Sequence, residues 1–136
     1  MVGCTVLDVG SRQVSGKGGL LCYRPLFKDY DYVGMDIVAG DNVDIVGYDA
    51  LQQYDVVISG QVMEHVKQPW EWLKTLKQLF KKYLCIITPH TARIHRYPYD
   101  TYRYFPDGMR DLFEWAGIQE EDIWMGEKDT VGIGKK

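Results

Sequence analysis

Short apolar runs separated by turn residues follow one another along most of the chain. They are apolar on both faces instead of alternating with polar side chains, which is typical of parallel strands covered by helices. The runs lie at residues 4–9, 32–38, 43–48, 56–58 and 84–87. A later stretch, 123–133, predicts one or two further strands that could form an antiparallel hairpin.

Two amphipathic helices are predicted where a proline precedes an apolar stripe, because proline is favoured at the first helical position. The first begins at Pro69. The second begins at Pro106 and ends at Gly117, a residue suited to a left-handed helix end. An earlier helix should cover part of residues 18–27, although Pro25 limits its length. The apolar stripes comprise Trp70, Leu73, Leu76, Leu79 and Phe80 in the first helix and Met109, Leu112, Phe113 and Ala116 in the second.

The resulting order of elements is β-α-β-β-β-α-β-α-β(β), which predicts an α/β doubly wound fold in one domain spanning residues 1–136. Only the short segments 39–42 and 49–53 are left for helices after the second and third strands. The expected architecture is therefore a mostly parallel sheet of about six or seven strands with trimmed helices.

Composition narrows the class of protein. The 136 residues are 46% hydrophobic, and a net charge of −3 gives no drive towards nucleic acid or an anionic membrane. No apolar run reaches the roughly 18 residues that span a bilayer, and the N-terminus shows no signal-peptide pattern. Cys4, Cys22 and Cys85 have neither a disulfide framework nor a zinc spacing. We expect a cytoplasmic protein that does not contact a membrane.

Small and acidic residues follow the predicted strands at the edge where ligands bind in open α/β sheets. Gly10 would let the backbone approach a ligand, and Asp36 could accept hydrogen bonds from both hydroxyls of a ribose. A Gly-x-Gly-x-x-Gly loop for a pyrophosphate is absent from the sequence. Three alternatives stay open. Gly10 could form an ordinary turn, and Asp36 could be a solvated strand end. Asp44 could take the ligand-binding place of Asp49, the acidic residue after the third strand.

Segments 5–10, 32–37 and 54–70 together resemble the class I S-adenosylmethionine-dependent methyltransferases. The chain is similar to a subgroup with an Asp-Val-Gly-Ser first loop, a Glu-His-Val turn and a late Tyr-Pro-x-Asp-x-x-Arg segment. The resemblance implies a Rossmann-like sheet, S-adenosyl-L-methionine as the cofactor, and transfer of its methyl group to an acceptor that the sequence does not identify.

The resemblance also assigns the cofactor to the residues that end the first four strands. It places Asp49 beside the adenine amino group, and Gly60 with Gln61 beside the methionine part. The family's Gly-x-Gly-x-Gly pattern is reduced to Gly10 in register. The candidate cofactor-binding residues are Asp8, Val9, Gly10, Ser11, Asp36, Ile37, Asp49, Ala50, Gly60 and Gln61.

Residues 90–105 interleave aromatic rings with histidine and arginine side chains, a composition suited to stacking on a planar acceptor or clamping an anion. A histidine could remove a proton from the acceptor near neutral pH. The candidate catalytic residues are His65, His90 and His95, and the candidate substrate-binding residues are Glu64, Tyr99, Asp100 and Arg103. Alternatively, Glu64 fixes its turn, and Asp100 pairs with Arg103 to staple the loop.

Some quinone-type relatives bind a divalent metal through a Glu-x-x-Glu-His pattern. Gln61 replaces the first glutamate here, and a neutral amide is a poorer ligand for a hard cation, so we predict no metal.

The acceptor is expected to be a small molecule or a sugar. A nucleic acid or protein acceptor is the alternative, supported only by Arg93, Arg96, Arg103 and Arg110 and opposed by the acidic balance. A non-catalytic S-adenosylmethionine-binding subunit is a further alternative, because the glycine loop is thinned. A homodimer is compatible with Trp70 and Trp72 near a helix start, although one of them could equally pack onto the sheet.

Overall fold

The chain is described by a computed structural model that covers residues 3–13, 22–50, 52–96 and 98–136. The helix predicted within 18–27 lies partly outside these ranges. Its described part is a 3₁₀ turn, Arg24–Phe27, with Pro25 near its start. Gly16, Gly18 and Gly19, which could contribute to a longer loop after the first strand, also lie outside the described residues.

Seven strands form one sheet. They are β1 (Thr5–Val9), β2 (Asp31–Asp36), β3 (Ile45–Val46), β4 (Tyr54–Gly60), β5 (Phe80–Pro89), β6 (Gln119–Met125) and β7 (Asp129–Lys135). Their spatial order is β3-β2-β1-β4-β5-β7-β6. The first five strands run parallel to one another, and β7 is antiparallel to both β5 and β6. The predicted α/β fold with a mostly parallel sheet of six or seven strands is confirmed, as is the antiparallel hairpin at its end.

Two α-helices, α1 (Pro69–Lys77) and α2 (Pro106–Ala116), pack against each other on one face of the sheet. Gly132 of β7 faces α2, and Gly134 faces Ile118, two residues beyond the end of that helix. A Cβ at Gly132 would lie 2.8 Å from Met109 Cγ, and one at Gly134 would lie 2.3 Å from Ile118 Cγ2. The missing side chains on β7 therefore let α2 lie close to the sheet.

Gly117 ends α2 in the left-handed conformation (φ 72°), as predicted, while two other boundaries differ from the prediction. Helix α1 stops at Lys77, so Phe80 belongs to β5, where it pairs with Tyr54 and is fully buried. Strand β3 has two residues instead of six, because Gly47 (φ 100°) turns the chain away directly after Val46.

The two tryptophans at the start of α1 have different surroundings. Trp72 is buried in the core, and its indole Nε1 donates a hydrogen bond of 2.9 Å to the Tyr48 hydroxyl. Trp70 is half-buried beside Leu112 and Trp115. Trp72 therefore packs within the chain and is not available to a partner. Within the described ranges, neither helix has the length and hydropathy needed to span a bilayer.

Candidate functional site

The carboxyl ends of β1, β2, β4 and β5 meet at one edge of the sheet, and the strand order reverses between β1 and β4. Ligands of open α/β sheets bind at such a reversal. The predicted strand-end residues lie at this end of the sheet, and four of them are buried: Asp8, Val9, Ser11 and Ala50.

The loop after β1 is held against the loop after β2. The amides of Gly10 and Ser11 both donate to the carbonyl of Met35, at 2.8 Å and 3.1 Å. Ser11 Oγ donates to the Asn42 carbonyl at 2.7 Å, and Asn42 Nδ2 donates to the Ser11 carbonyl at 2.9 Å. Gly10 adopts a φ of 78°, and a Cβ there would lie 2.3 Å from Val62 Cγ2. Glycine at position 10 is thus required by both conformation and space.

Asp36 lies at the end of β2, with its carboxylate held by two backbone amides. Oδ2 accepts from Arg12 N at 3.0 Å, and Oδ1 accepts from Val38 N at 3.1 Å. Each carboxylate oxygen has a further lone pair, so the oriented carboxylate can also accept from a pair of hydroxyls. Ile37, directly after it, is 66% exposed, which places an apolar side chain on the rim beside the carboxylate.

Asp8 lies beneath the first loop rather than at the edge. It is 2% exposed, and its Oδ2 accepts a short hydrogen bond from the Tyr32 hydroxyl, which in turn accepts one from Asn42 Nδ2. Burial raises the pKa of Asp8 to about 6, although the Tyr32 hydroxyl acts in the opposite direction. The side chain that was predicted to touch a cofactor therefore supports the loop from below.

Replacing Asp8 by asparagine is expected to stabilise the protein at pH 7 and to change little at pH 4. Since the folded pKa lies above the ordinary value, the stability carried by protonated Asp8 is complete below about pH 4 and is lost as the pH rises through about 6. Asparagine imitates the protonated form, so we expect a gain of about 2 kcal/mol at pH 7. Urea unfolding at both pH values measures it. An equal gain at both would contradict the assignment.

The side chain of Tyr23 lies over the end of β4, at Gly60, and the sequence did not indicate this contact. A Cβ at Gly60 would lie 2.0 Å from the Tyr23 hydroxyl. Burial, followed by the negative charge of Asp8, raises the pKa of Tyr23 to about 12, so this hydroxyl stays protonated. Its only sequence signal was the glycine that makes room for it. Gln61, next along, has a φ of 59°, and its Nε2 donates to Asp129 Oδ1 at 3.0 Å.

The two residues predicted to bind the cofactor after β3 lie in different surroundings. Asp49 is exposed at the surface, whereas Ala50 belongs to the hydrophobic core. The competing candidate, Asp44, has its carboxylate bound to Gly34 N at 2.9 Å and to Arg24 Nη2 at 2.7 Å. Asp44 therefore fixes the turn before β3, although its side chain is 48% exposed. The adenine contact of Asp49 stays a prediction.

Glu64 is the most deeply buried charged residue at the edge, with no exposed surface. Thr88 Oγ1 of β5 donates to its Oε1 at 3.3 Å. Its main-chain carbonyl accepts from Thr101 N, Thr101 Oγ1 and Tyr102 N at 2.8, 2.8 and 3.1 Å. Burial raises the pKa of Glu64 above its ordinary value. Glu64 therefore fixes both its own turn and the loop that follows β5.

His65 and His95 meet at this carboxylate, although 30 positions separate them in the sequence. Their ring centroids lie 4.7 Å apart, with the planes 81° apart, and each Nε2 lies 3.6 Å from Glu64 Oε2. His90 lies apart from this pair. Its ring stacks on Phe105, with Nε2 2.8 Å from the Gly126 carbonyl and Nδ1 2.9 Å from Thr91 Oγ1. Of the three predicted histidines, the structure brings two together.

Asp100 and Arg103 form a two-pronged ion pair within the loop after β5. The guanidinium donates to the two carboxylate oxygens at 2.6 Å and 2.8 Å, and also to the carbonyls of Arg93 and Tyr102 at 2.9 Å each. The Arg103 hydrogen bonds hold the pKa of Asp100 well below its ordinary value. These contacts match the loop-stapling alternative. Tyr99, by contrast, is 51% exposed, with Lys67 Nζ 4.0 Å above its ring.

An open cavity of about 310 Å³ adjoins the ion pair. Its lining combines apolar side chains with the Asp100–Arg103 pair, and comprises Ala92, Ile94, Asp100, Thr101, Tyr102 and Arg103. Ile94 is largely exposed, so the cavity wall offers an apolar surface on the acceptor side of the edge.

Solved structures with a similar fold match nearly the whole chain. Magnesium protoporphyrin IX methyltransferase of Synechocystis PCC 6803 matches 98% of this chain and 74% of its own at 15% identity, with a TM-score of 0.71. A SAM-dependent methyltransferase from Aquifex aeolicus matches 98% and 82% at 18% identity, with a TM-score of 0.70. The fold is that of the class I methyltransferases.

A third match is the chain complexed with the Trm112 methyltransferase activator of Haloferax volcanii, at 15% identity, 98% and 82% coverage and a TM-score of 0.69. No protein-family model matches the sequence, and the comparison with curated proteins also finds no match. At these identities the likeness concerns the class I methyltransferase fold, and the function has to be argued from the site.

Proposed function

We propose that this chain is an S-adenosylmethionine-dependent methyltransferase whose acceptor is a small molecule or a sugar. The observation that carries the proposal is the oriented carboxylate of Asp36 at the end of β2, beside the loop of Gly10 and next to the exposed Ile37. The Synechocystis neighbour, which has a similar fold, has been crystallised with SAM and with SAH.

The chemistry of the edge fits this cofactor part by part. Asp36 would accept hydrogen bonds from the two ribose hydroxyls, and Ile37 would cover one face of the adenine. Asp49 would accept from the adenine amino group. Gly60 and the protonated Tyr23 hydroxyl would border the methionine part. The absence of a phosphate loop from the sequence fits a cofactor that carries no phosphate.

When bound, S-adenosylmethionine supplies a methyl group already activated by its sulfonium. The protein's task is then to align the acceptor and, for a hydroxyl acceptor, to receive its proton. His65 and His95 stand at the same edge, between β4 and the loop after β5. Tyr99 and the apolar wall of the neighbouring cavity would hold the acceptor, while Asp100 and Arg103 keep the loop in place.

Of the three histidines, His65 and His95 are expected to affect methyl transfer, and His90 is not. Glutamine at position 65 or 95 should lower kcat at least tenfold, because a positioned proton acceptor contributes about 10²–10⁴-fold. His90 has both ring nitrogens at main-chain or hydroxyl partners, so its glutamine variant serves as the matched control. Steady-state methyl transfer from labelled cofactor measures all three. Full activity in the first two variants would remove the histidine role.

The proposal is tested by calorimetric titration with S-adenosylmethionine, S-adenosylhomocysteine and NAD. Binding of the first two in the micromolar range without NAD binding is expected, and would justify an acceptor screen with labelled cofactor. NAD binding with no affinity for the two sulfur compounds would overturn the proposal. An acceptor that is a nucleic acid would reveal itself by a steep dependence of binding on salt concentration.

A site completed by a partner is the second candidate. The helices after β2 and β3 are reduced to loops, and the apolar Ile37, Val38 and Val46 are exposed on that side. The Haloferax neighbour was solved together with a methyltransferase activator. A homodimer would offer the same cover. Cofactor affinity that rises with protein concentration would favour this candidate, and concentration-independent micromolar binding would favour the self-sufficient enzyme.

A further inference from the structure

We propose that Glu64, His65 and His95 bind one divalent transition-metal ion, with zinc as the favoured ion. One donor atom of each residue, Glu64 Oε2 and a nitrogen of each imidazole, lies within 4.8 Å of the other two. The inference does not depend on the identity of the cofactor or the acceptor. It does compete with the proton-accepting role proposed for His65 and His95, because a ring that donates from Nδ1 and binds the ion through Nε2 cannot also receive the acceptor's proton.

The buried oxygen of Glu64 is the first observation that points to a ligand. Among the described residues, no group donates a hydrogen bond to Oε2, although the side chain has no exposed surface. Leaving a carboxylate oxygen buried without a donor costs free energy. A cation bound at this oxygen would remove that cost. Both neighbouring Nε2 atoms lie 3.6 Å away, which is too long for a hydrogen bond.

The spacing suits two ligands of a common metal ion. In a tetrahedral zinc site with bonds near 2.1 Å, neighbouring donor atoms lie about 3.4 Å apart. The two observed separations of 3.6 Å need only a small adjustment to reach that value. Three protein donors also leave a fourth position for water or another molecule, as in catalytic zinc sites.

The orientation of both imidazole rings is the second observation. His65 Nδ1 lies 2.6 Å from the Tyr99 carbonyl, and His95 Nδ1 lies 2.8 Å from the Arg93 carbonyl. A carbonyl can only accept, so each Nδ1 carries a proton, and Nε2, the ring nitrogen towards Glu64, is the atom that would bind the ion. Metal-binding histidines are oriented by such hydrogen bonds from the opposite ring nitrogen. Asp100 Oδ2, 3.5 Å from His95 Nδ1, adds a carboxylate behind that ring.

The donor set selects the class of metal. Two imidazole nitrogens and one carboxylate suit zinc and its neighbours in the first transition row, whereas magnesium and calcium prefer oxygen ligands. The prediction of no metal rested on Gln61, which replaces a carboxylate suited to a hard cation. Gln61 in fact bonds to Asp129, and the third donor is His95, which the spacing around Glu64 could not reveal.

The test is a titration of tag-free, chelator-treated protein with Co²⁺, followed by visible absorption, and with Zn²⁺, followed by calorimetry. We expect one equivalent to bind, with affinity reduced more than about tenfold in both His95→Gln and Glu64→Gln, because even the loss of an outer hydrogen-bond partner costs about 10–100-fold. His90→Gln is the matched control and should bind as the parent does. His95 is partly exposed, so its glutamine variant should remain folded, which circular dichroism checks.

Three results would overturn the site. They are no binding of either ion, equal affinity in the parent and in His95→Gln, and a thiolate-to-cobalt charge-transfer band, which would place the ion at a cysteine. Titration of the same preparations with S-adenosylmethionine separates the two proposals. A parent protein that does not bind the cofactor would count against the proposed function. A parent protein that binds the cofactor but no metal ion would count only against the metal site.

Discussion

Replacing Asp36 by alanine is expected to weaken S-adenosylmethionine binding about 10³-fold. Two charge-assisted hydrogen bonds to the ribose hydroxyls would be lost, each worth about 1.5–3 kcal/mol, and about 1.4 kcal/mol corresponds to a tenfold change in affinity. The carboxylate is already oriented by the amides of Arg12 and Val38, so little of its binding free energy is spent on ordering it. Calorimetry with the cofactor and with S-adenosylhomocysteine measures the loss.

Asp41→Ala is the matched control for this experiment. It removes the same charge from an exposed side chain in the neighbouring turn and should leave the affinity nearly unchanged. Thermal unfolding of both variants separates a loss of fold from a loss of ligand contact, because Asp36 also bonds to two amides. Parent-like affinity in a folded Asp36→Ala protein would show that the cofactor's ribose lies elsewhere.

Alanine at position 34 should destabilise the fold by about 3 kcal/mol, the upper end of the range of about 1–3 kcal/mol that is typical of overpacking. Gly34 is buried in β2, and a Cβ there would lie 2.1 Å from the Asn42 carbonyl oxygen and 2.6 Å from Ser11 Oγ. Asn42 cannot retreat easily, because its backbone is held in the left-handed region (φ 66°) and clipped to Ser11 by two hydrogen bonds. The free energy of unfolding in denaturant measures the change.

Gly108→Ala is the opposite case within the same chain. Gly108 lies exposed in α2, and a Cβ there would meet nothing within 4 Å. Alanine is the better helix former, so this variant should gain about 0.5–1 kcal/mol. If both alanine variants changed stability by a similar small amount, the close approach of the Asn42 carbonyl to Gly34 would not be a feature of the folded protein.

The strands and helices could be predicted because their signals are local. Pro106 begins and Gly117 ends the helix α2, which has an apolar side chain at each turn. The apolar runs in β4 and β5 are apolar on both faces. Such signals lie within a few residues of one another, so no knowledge of the tertiary structure is needed to read them. The end of α1 carried no glycine or proline, and the apolar spacing ran on into β5 without a break.

The polar contacts of the site could not be predicted in the same way. Tyr32 bonds to Asp8 across 24 positions, and His95 approaches Glu64 across 31 positions. Neither pair has a periodicity that would announce it, because both depend on which strands become neighbours. The family resemblance supplied the strand-end residues. The resemblance did not indicate that Tyr23 lies over Gly60. Nor did it indicate that His95 lies beside Glu64 and His65.

The main-chain carbonyl of Glu64 has a consequence for motion. It receives hydrogen bonds from Thr101 and Tyr102, while the side chain of the same residue is anchored to β5 through Thr88. Displacing the loop after β5 at Thr101 and Tyr102 would break these hydrogen bonds together. It would also disturb the surroundings of the buried Glu64 carboxylate, which costs free energy. We therefore expect this stretch to open on the slow timescale of the sheet rather than as a fast flap. Under the proposed function, substrate would then enter along another border of the edge.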